Sequence, residues 1–290
     1  MKSNLIITSC AVALVFLAVA LVALTVQPAV TTVSHTESSS YSWYFKPRED
    51  GRQPVVADNA AFLSQYDNVR YLGSPDSQDL FLTFDVGYEN GNTEKILDIL
   101  KEKKVPAAFF VTGHYMESNP DLIKRMEAEG HLVCNHTLNH KDLSAISSQE
   151  EFAAEVDGLA AKYKEIVGKE MPKYLRPPEG KYCERMLKIA DQEGYTVVFW
   201  SFAYKDWLND EQPDASAAME KILKRTHPGA VLLLHSNSAT NAQILGDVID
   251  KWQANGYTLK SLDDLPAPAA ASQVSPSPSS LTAQPAASGT

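Results

Sequence analysis

The chain has 290 residues, 44% of them hydrophobic and 21% charged, a balance that builds a packed core and excludes a collagen-like or wholly disordered polypeptide. With 26 Lys and Arg against 36 Asp and Glu the formal charge is −10, so the basic field needed to hold a phosphate backbone is missing and nucleic acid is excluded as a partner. Three cysteines, Cys10, Cys134 and Cys183, are too few for a disulfide framework and leave only a Cys134–Cys183 bridge open.

In chain order, Leu5 to Val26 is an uncharged apolar run of 22 residues behind Lys2. A helix of roughly 20 such residues crosses a bilayer, whereas the apolar core of a signal peptide runs about 7–15. The length favours an uncleaved signal anchor over a removed signal peptide for residues 1–27. The body then works outside the cytoplasm, held at the cell membrane or secreted. Residues 28–42, rich in Thr and Ser, read as a flexible stalk, and residues 43–265 as the folded body. Residues 266–290, mostly Ala, Pro and Ser with no charge and no aromatic ring, read as a disordered tail.

Within the body, seven short apolar runs alternate with amphipathic stretches: Leu80–Asp85, Ala107–Thr112, His131–Asn135, Lys173–Arg176, Tyr195–Ser201, Ala230–Leu234 and Tyr257–Lys260. That alternation predicts an α/β fold of parallel strands joined by helical crossovers. Stripes such as Phe152, Val156, Leu159, Tyr163 and Ile166 turn a helical face to the sheet. Pro120 behind Asn119 and a capping box of Ser147 with Glu150 mark helix starts; Gly130, Gly168, Gly194 and Gly256 mark helix ends.

Polar residues gather where strands finish. Asp85 closes the first, His136 and His140 follow the third, Arg176 ends the fourth, Asp206 follows the fifth and His235 ends the sixth. In closed or nearly closed parallel sheets every strand delivers a residue to one mouth at its carboxyl end, and that order predicts a common site. Taken singly, each residue has a plain alternative. His136 and His140, four apart, share a metal if they lie on one helical turn, or cap and decorate the surface. Asp85 is a general base or a turn cap. Arg176 pairs with Asp85 and holds it ionised, or makes a surface salt bridge. His235 is an acid oriented by Asp206, or a packed rim residue. Cys134 shares its strand face with His136, but core packing suits it better than ligation.

Together, Thr83-Phe84-Asp85-Val86-Gly87, His136-Thr137-Leu138-Asn139-His140, Arg176-Pro177-Pro178-Glu179-Gly180, Asp206-Trp207 and Leu232-Leu233-Leu234-His235 resemble the five ordered motifs of the polysaccharide deacetylases, the NodB-homology group or carbohydrate esterase family 4. Gly87-Tyr88-Glu89-Asn90-Gly91, Phe199-Trp200-Ser201 and Asn241-Ala242 are similar to the delta-lactam-biosynthetic de-N-acetylases within it, which act on muramic acid. The resemblance implies a distorted, incomplete (β/α) barrel of about seven parallel strands and a hydrolase that removes N-acetyl groups from peptidoglycan glycan strands, on the route to muramic delta-lactam. It implies Asp85 as base, His235 as acid, Asp206 orienting His235, and Arg176 positioning Asp85 or lining the groove. His136 and His140 become ligands of a divalent metal, zinc first, with Tyr88 and Trp207 as sugar-stacking walls.

Two positions depart from the family pattern. Val86 stands where the family commonly carries a second Asp, the third metal ligand, so a weak metal site is expected unless Asp85, Glu89 or the substrate supplies an oxygen. Ala203 replaces an earlier Asp in the fourth motif, while Asp206 is kept. The alternatives are the same chemistry on N-acetylglucosamine, chitin oligomers or acetylated xylan, and a catalytically inactive wall-binding protein with a lost metal site.

Overall fold

The structure, a computed structural model, describes residues 39–267. The expected signal anchor, most of the stalk and nearly all of the tail lie outside the described residues. Among the described residues no helix is long and apolar enough to cross a membrane.

The centre is one eight-stranded sheet: β1 (Val69–Arg70), β2 (Asp79–Val86), β3 (Ala108–Val111), β4 (Leu132–Asn135), β5 (Tyr174–Leu175), β6 (Thr196–Val198), β7 (Ala230–His235) and β8 (Thr258–Lys260). Their order is β7-β2-β3-β4-β5-β6-β1, with β8 also on β2, and all of these pairings are parallel. The sheet curls back on itself. Beyond β6, the amides of Ser201 and Phe202 donate to Val231 O at 2.9 and 3.2 Å, and Leu233 N donates to Phe202 O at 2.9 Å, so the far edge reaches β7 and nearly closes a ring. This is the distorted, incomplete barrel expected. The seven expected strands are all present; β1, only two residues long, had no apolar run to announce it.

Helices α1 (Thr93–Lys103), α2 (Gly113–Ser118), α3 (Pro120–Ala128), α4 (Gln149–Val167), α5 (Glu184–Gln192), α6 (Ala215–Arg225) and α7 (Ala239–Ala254) fill the crossovers. Alternation along β2 divides its side chains. Leu80, Leu82, Phe84 and Val86 pack outward with Ile96, Leu97 and Leu100 of α1, while Phe81 packs inward with Ala108, Phe110, Cys134 and Val231. Asp85, two residues on from Thr83 and four from Phe81, therefore faces the barrel interior. Burying a Leu or Phe is worth about 1.5–3 kcal/mol, and these two layers hold the strand ends in place.

Several local expectations are refined. The capping box on α4 is one residue later than expected: Ser148 accepts from Glu151 N at 3.3 Å, and the Glu151 carboxylate takes Ser147 N at 2.8 Å. Tyr41 and Ser42, assigned from composition to the stalk, pair antiparallel with Tyr182 and Lys181, and the buried Trp43 stacks on Phe199. Cys134 and Cys183 are free and buried, which removes the bridge left open by the sequence. Cys183 caps α5, its Sγ accepting from Met186 N at 3.4 Å.

Candidate active site

The parallel register of β7 on β2 sets His235 beside Asp85. Arg176, leaving β5, is fully buried; its Nη1 donates to Asp85 Oδ1 at 2.7 Å and its Nε to Val198 O at 3.1 Å, with the guanidinium 4.0 Å above the Phe110 ring. Enclosed in this way, Arg176 does not line the groove, which corrects one of its two expected roles; its guanidinium meets the site at Asp85. Burial by itself would push the Asp85 carboxyl up, but the charge of Arg176, the nearby imidazoles of His136 and His235 and the Arg176 hydrogen bond together hold it below its ordinary value.

His136 and His140 do come together, though not on a helical turn. They bracket an irregular loop in which Thr137 and His140 adopt left-handed φ values of 68° and 55°, and their ring centroids lie 4.9 Å apart at 78°. His136 Nδ1 lies 2.8 Å from Arg176 O, a carbonyl that can only accept, so Nδ1 carries the proton and the Nε2 lone pair is left free, 3.5 Å from Asp85 Oδ2. Burial is the main cause that drives His136 down to about 4 and keeps it neutral. The loop is gripped from outside. Glu155 of α4, itself buried, accepts from Asn139 N and Asn139 Nδ2 at 2.9 Å each, and Gly113 N donates to Leu138 O at 3.0 Å. A Cβ on Gly113 would come within 2.5 Å of that oxygen, so the approach requires glycine.

A neutral imidazole with its other nitrogen fixed by a carbonyl is the form that ligates a metal, and the donor set fits a divalent ion held by His136 and His140. No third protein donor completes it: among the described residues no group of three or more His, Cys, Asp or Glu is arranged for an ion. Val86 is buried in the outer apolar layer. Glu89, weighed as a replacement, spends its carboxylate on its own loop, accepting from Gly91 N at 2.6 Å and Tyr115 OH at 2.8 Å.

On the other side of Asp85, the buried Asp206 accepts from His235 N at 2.9 Å and from His235 Nδ1 at 2.7 Å. Asn241 of α7 adds Nδ2 to Asp206 Oδ2 at 2.6 Å and in turn accepts the hydroxyl of Tyr204. Burial alone would lower His235; the hydrogen bond and charge of Asp206, with the charge of Asp85, outweigh it and raise the imidazole above its ordinary value. Asn241 was visible beforehand only as part of a resemblance, because nothing local links it to a residue 35 positions away.

These groups surround a cleft of about 1240 Å³ lined by Asp85, His136, His140 and His235 together with Tyr88, Trp200 and Trp207. Tyr88 and Trp207 are among the few large apolar side chains left exposed, at 70% and 48%; Tyr88 lies against His114 and Trp207 against His235. The Lys162–Glu117 pair, also on the wall, had no signal in the sequence.

An Asp-oriented imidazole facing a carboxylate at the carboxyl rim of a parallel barrel defines a hydrolytic α/β-barrel enzyme. The family profile described as polysaccharide deacetylase matches residues 73–198. The peptidoglycan-N-acetylmuramic acid deacetylase PdaA of Bacillus subtilis is 41% identical over 224 residues, covering 77% of this chain and 85% of that protein. The solved structure of PdaA, described as a family 4 carbohydrate esterase, superposes with a TM-score of 0.76 at 39% identity, covering 79% and 98% of the two chains. A family 4 carbohydrate esterase from Bacillus anthracis gives 0.66 at 40% identity, covering 80% and 98%. The chain belongs to the polysaccharide deacetylase family.

Proposed function

We propose that the protein is a peptidoglycan de-N-acetylase whose substrate is the N-acetylmuramic acid of glycan strands. The observation that carries this reading is the cleft in which Asp85, the His136–His140 pair and the Asp206-held His235 face one space, in a chain 41% identical to a muramic acid deacetylase. Peptidoglycan lies outside the cytoplasm, and the apolar segment Leu5–Val26 supplies a means of export and anchoring.

The reaction is amide hydrolysis. Water adds through oxygen to the acetamide carbon, the C–N bond breaks, and acetate and a free amine leave. Asp85, held ionised by Arg176, takes the proton of the attacking water. His235, whose hold on a proton is strengthened by Asp206, gives that proton to the departing nitrogen. Asn241 and Tyr204 fix the Asp206 carboxylate, and Tyr88 and Trp207 offer ring faces to the sugar. His136 and His140 would hold a divalent ion, zinc first, which when bound polarises the carbonyl and acidifies water, a help that a base as weak as Asp85 needs. The freed amine can then attack the lactyl carboxyl carbon of the same sugar, forming the lactam C–N bond as the carboxyl C–O bond breaks and water leaves.

The test is acetate release from peptide-stripped peptidoglycan, with Zn²⁺, Co²⁺ or Mg²⁺ added and mass spectrometry for the free amine and the lactam. Asp85→Asn and His235→Ala are expected to abolish release. Retention of wild-type release in either variant refutes the assignment, and no release from any glycan favours a wall-binding protein.

A further inference from the structure

One wall of the cleft is built by α2 and α4. Both helices meet Leu138, between the two histidines, through glycines: the Gly113 backbone touches it directly, and a Cβ on Gly158 would lie 3.3 Å from Leu138 Cδ2. One turn further along each helix, on the same face, stand Glu117 and Lys162, and they pair across the gap, Nζ on Oε1. The wall therefore places an ammonium group one helical turn from the loop that carries His136 and His140.

Lys162 is the only Lys or Arg among the described residues that line the cleft. The other carboxylates there are neutralised from behind: Asp85 by the enclosed Arg176 at 2.7 Å, and Glu179 by Lys181 at 2.8 Å. An ammonium has three donors and Glu117 engages one of them, which leaves two for a ligand of the cleft that Lys162 lines. On a neutral amino sugar such a group meets only hydroxyl, ether and carbonyl oxygens and no opposite charge. In muramic acid, however, the ring carbon next to the acetamide carries an O-lactyl group, whose carboxylate must enter the cleft beside the reacting amide, with Leu138 on the same wall to meet its methyl group.

We propose that Lys162, anchored by Glu117, binds the lactyl carboxylate of the substrate and so selects muramic acid from other N-acetylated sugars. The proposal rests on the muramic acid reading above and deepens it. A charge pair at a partly exposed wall supports a modest, salt-sensitive effect of about three- to tenfold.

The experiment measures kcat/KM for acetate release by the full chain, with divalent ion present, on muramic-acid glycan with free lactyl carboxylates and on the same glycan after their conversion to methyl amides. The wild type is expected to lose about three- to tenfold on amidation, and Lys162→Gln to show no such loss, so the cycle isolates the ammonium–carboxylate contact. Equal losses in the two proteins overturn the subsite and leave the deacetylase intact. If the wild type releases no acetate from either glycan, function and subsite fall together. Glu117→Gln keeps an amide oxygen that accepts from Nζ, so the anchor stays while the like charge that opposes the lactyl carboxylate is removed; its KM on the free-carboxylate glycan is expected to fall about two- to threefold, and an unchanged or higher KM counts against the subsite.

Discussion

The hydrogen bond from His235 to Asp206 carries a prediction that can be worked from the geometry. Asp206 is wholly enclosed, meets no Lys or Arg, and takes three donors, at 2.9, 2.7 and 2.6 Å, from His235 N, His235 Nδ1 and Asn241 Nδ2. The one titratable donor among these is the His235 imidazole. In Asp206→Asn the ionic component of that bond disappears, while the burial that depresses His235 remains. A hydrogen bond to a charged group is worth about 1.5–3 kcal/mol, and one pKa unit is about 1.4 kcal/mol, so the imidazole is expected to fall by about one to two units. Loss of a positioned acid costs about 10²–10⁴ in rate. The assay is kcat for acetate release across pH 5 to 9: the variant's alkaline limb should move down by at least about one unit, with kcat at neutral pH down at least about a hundredfold. Stability gives a second readout. Because the folded value of His235 lies above the ordinary 6.5, its contribution is fully present below about pH 6.5 and is lost as pH rises through the folded value, so the deficit of the variant should be largest at acid pH. A profile that keeps its alkaline limb, with kcat within threefold of wild type, would refute the orienting role.

Removing the Asp85 carboxylate with Asp85→Ala leaves the fully buried Arg176 uncompensated, and chemical denaturation should show a loss of about 3–5 kcal/mol in addition to the loss of activity. Glu155→Gln keeps one acceptor for Asn139 and loses the other, loosening the loop between His136 and His140; Zn²⁺ affinity measured by competition with an indicator dye should drop about tenfold, and unaltered affinity would show that the clamp does not set the imidazoles. Neither ring nitrogen of the buried His131 meets a protein partner, so His131→Met should raise stability by about 1 kcal/mol. Burial lowers the His131 pKa, so this gain should widen as pH falls below about 6.5, where the unfolded chain takes up the proton and the folded one resists it; a narrowing gap would contradict the assignment.

How much of this was readable beforehand depended on how local the cause was. Strands buried on both faces must be nearly continuous apolar runs, and β2, β3 and β7 stand out in the sequence for that reason. The pair Val69–Arg70 joins the sheet only because β6 offers a free edge, a tertiary cause with no local trace. Two adjacent serines made the α4 cap ambiguous by one position, and only the direction of the Glu151 carboxylate resolves it. The four-residue spacing of His136 and His140 mimics a helical turn, yet the contact comes from two left-handed residues and a clamp from α4. Motif order placed Arg176 near Asp85, but its enclosure, which takes it off the groove wall, depends on the Phe110 ring and the Val198 carbonyl of two other strands.

The two halves of the site are driven in opposite electrostatic directions by the same few charges. Arg176 holds Asp85 down, and the resulting anion, with Asp206, holds His235 up. The carboxyl therefore gives up its proton more readily and the imidazole keeps its own more readily, which favours the forms in which a base and an acid start a hydrolytic cycle. In the proposed mechanism the division of labour follows from which residue received the buried cation and which the buried anion. Reversing the assignment, with His235 as base and Asp85 as acid, would require each group to begin in the form its surroundings disfavour. This asymmetry costs base strength, because a carboxylate stabilised by a guanidinium is a poor acceptor for the proton of bulk water. The His136–His140 pair beside Asp85, with its free Nε2 lone pair, lies on the side of the site where that deficit arises. In the proposed mechanism a divalent ion would be of use next to Asp85 and not next to His235, and the His136–His140 pair stands at that end of the cleft.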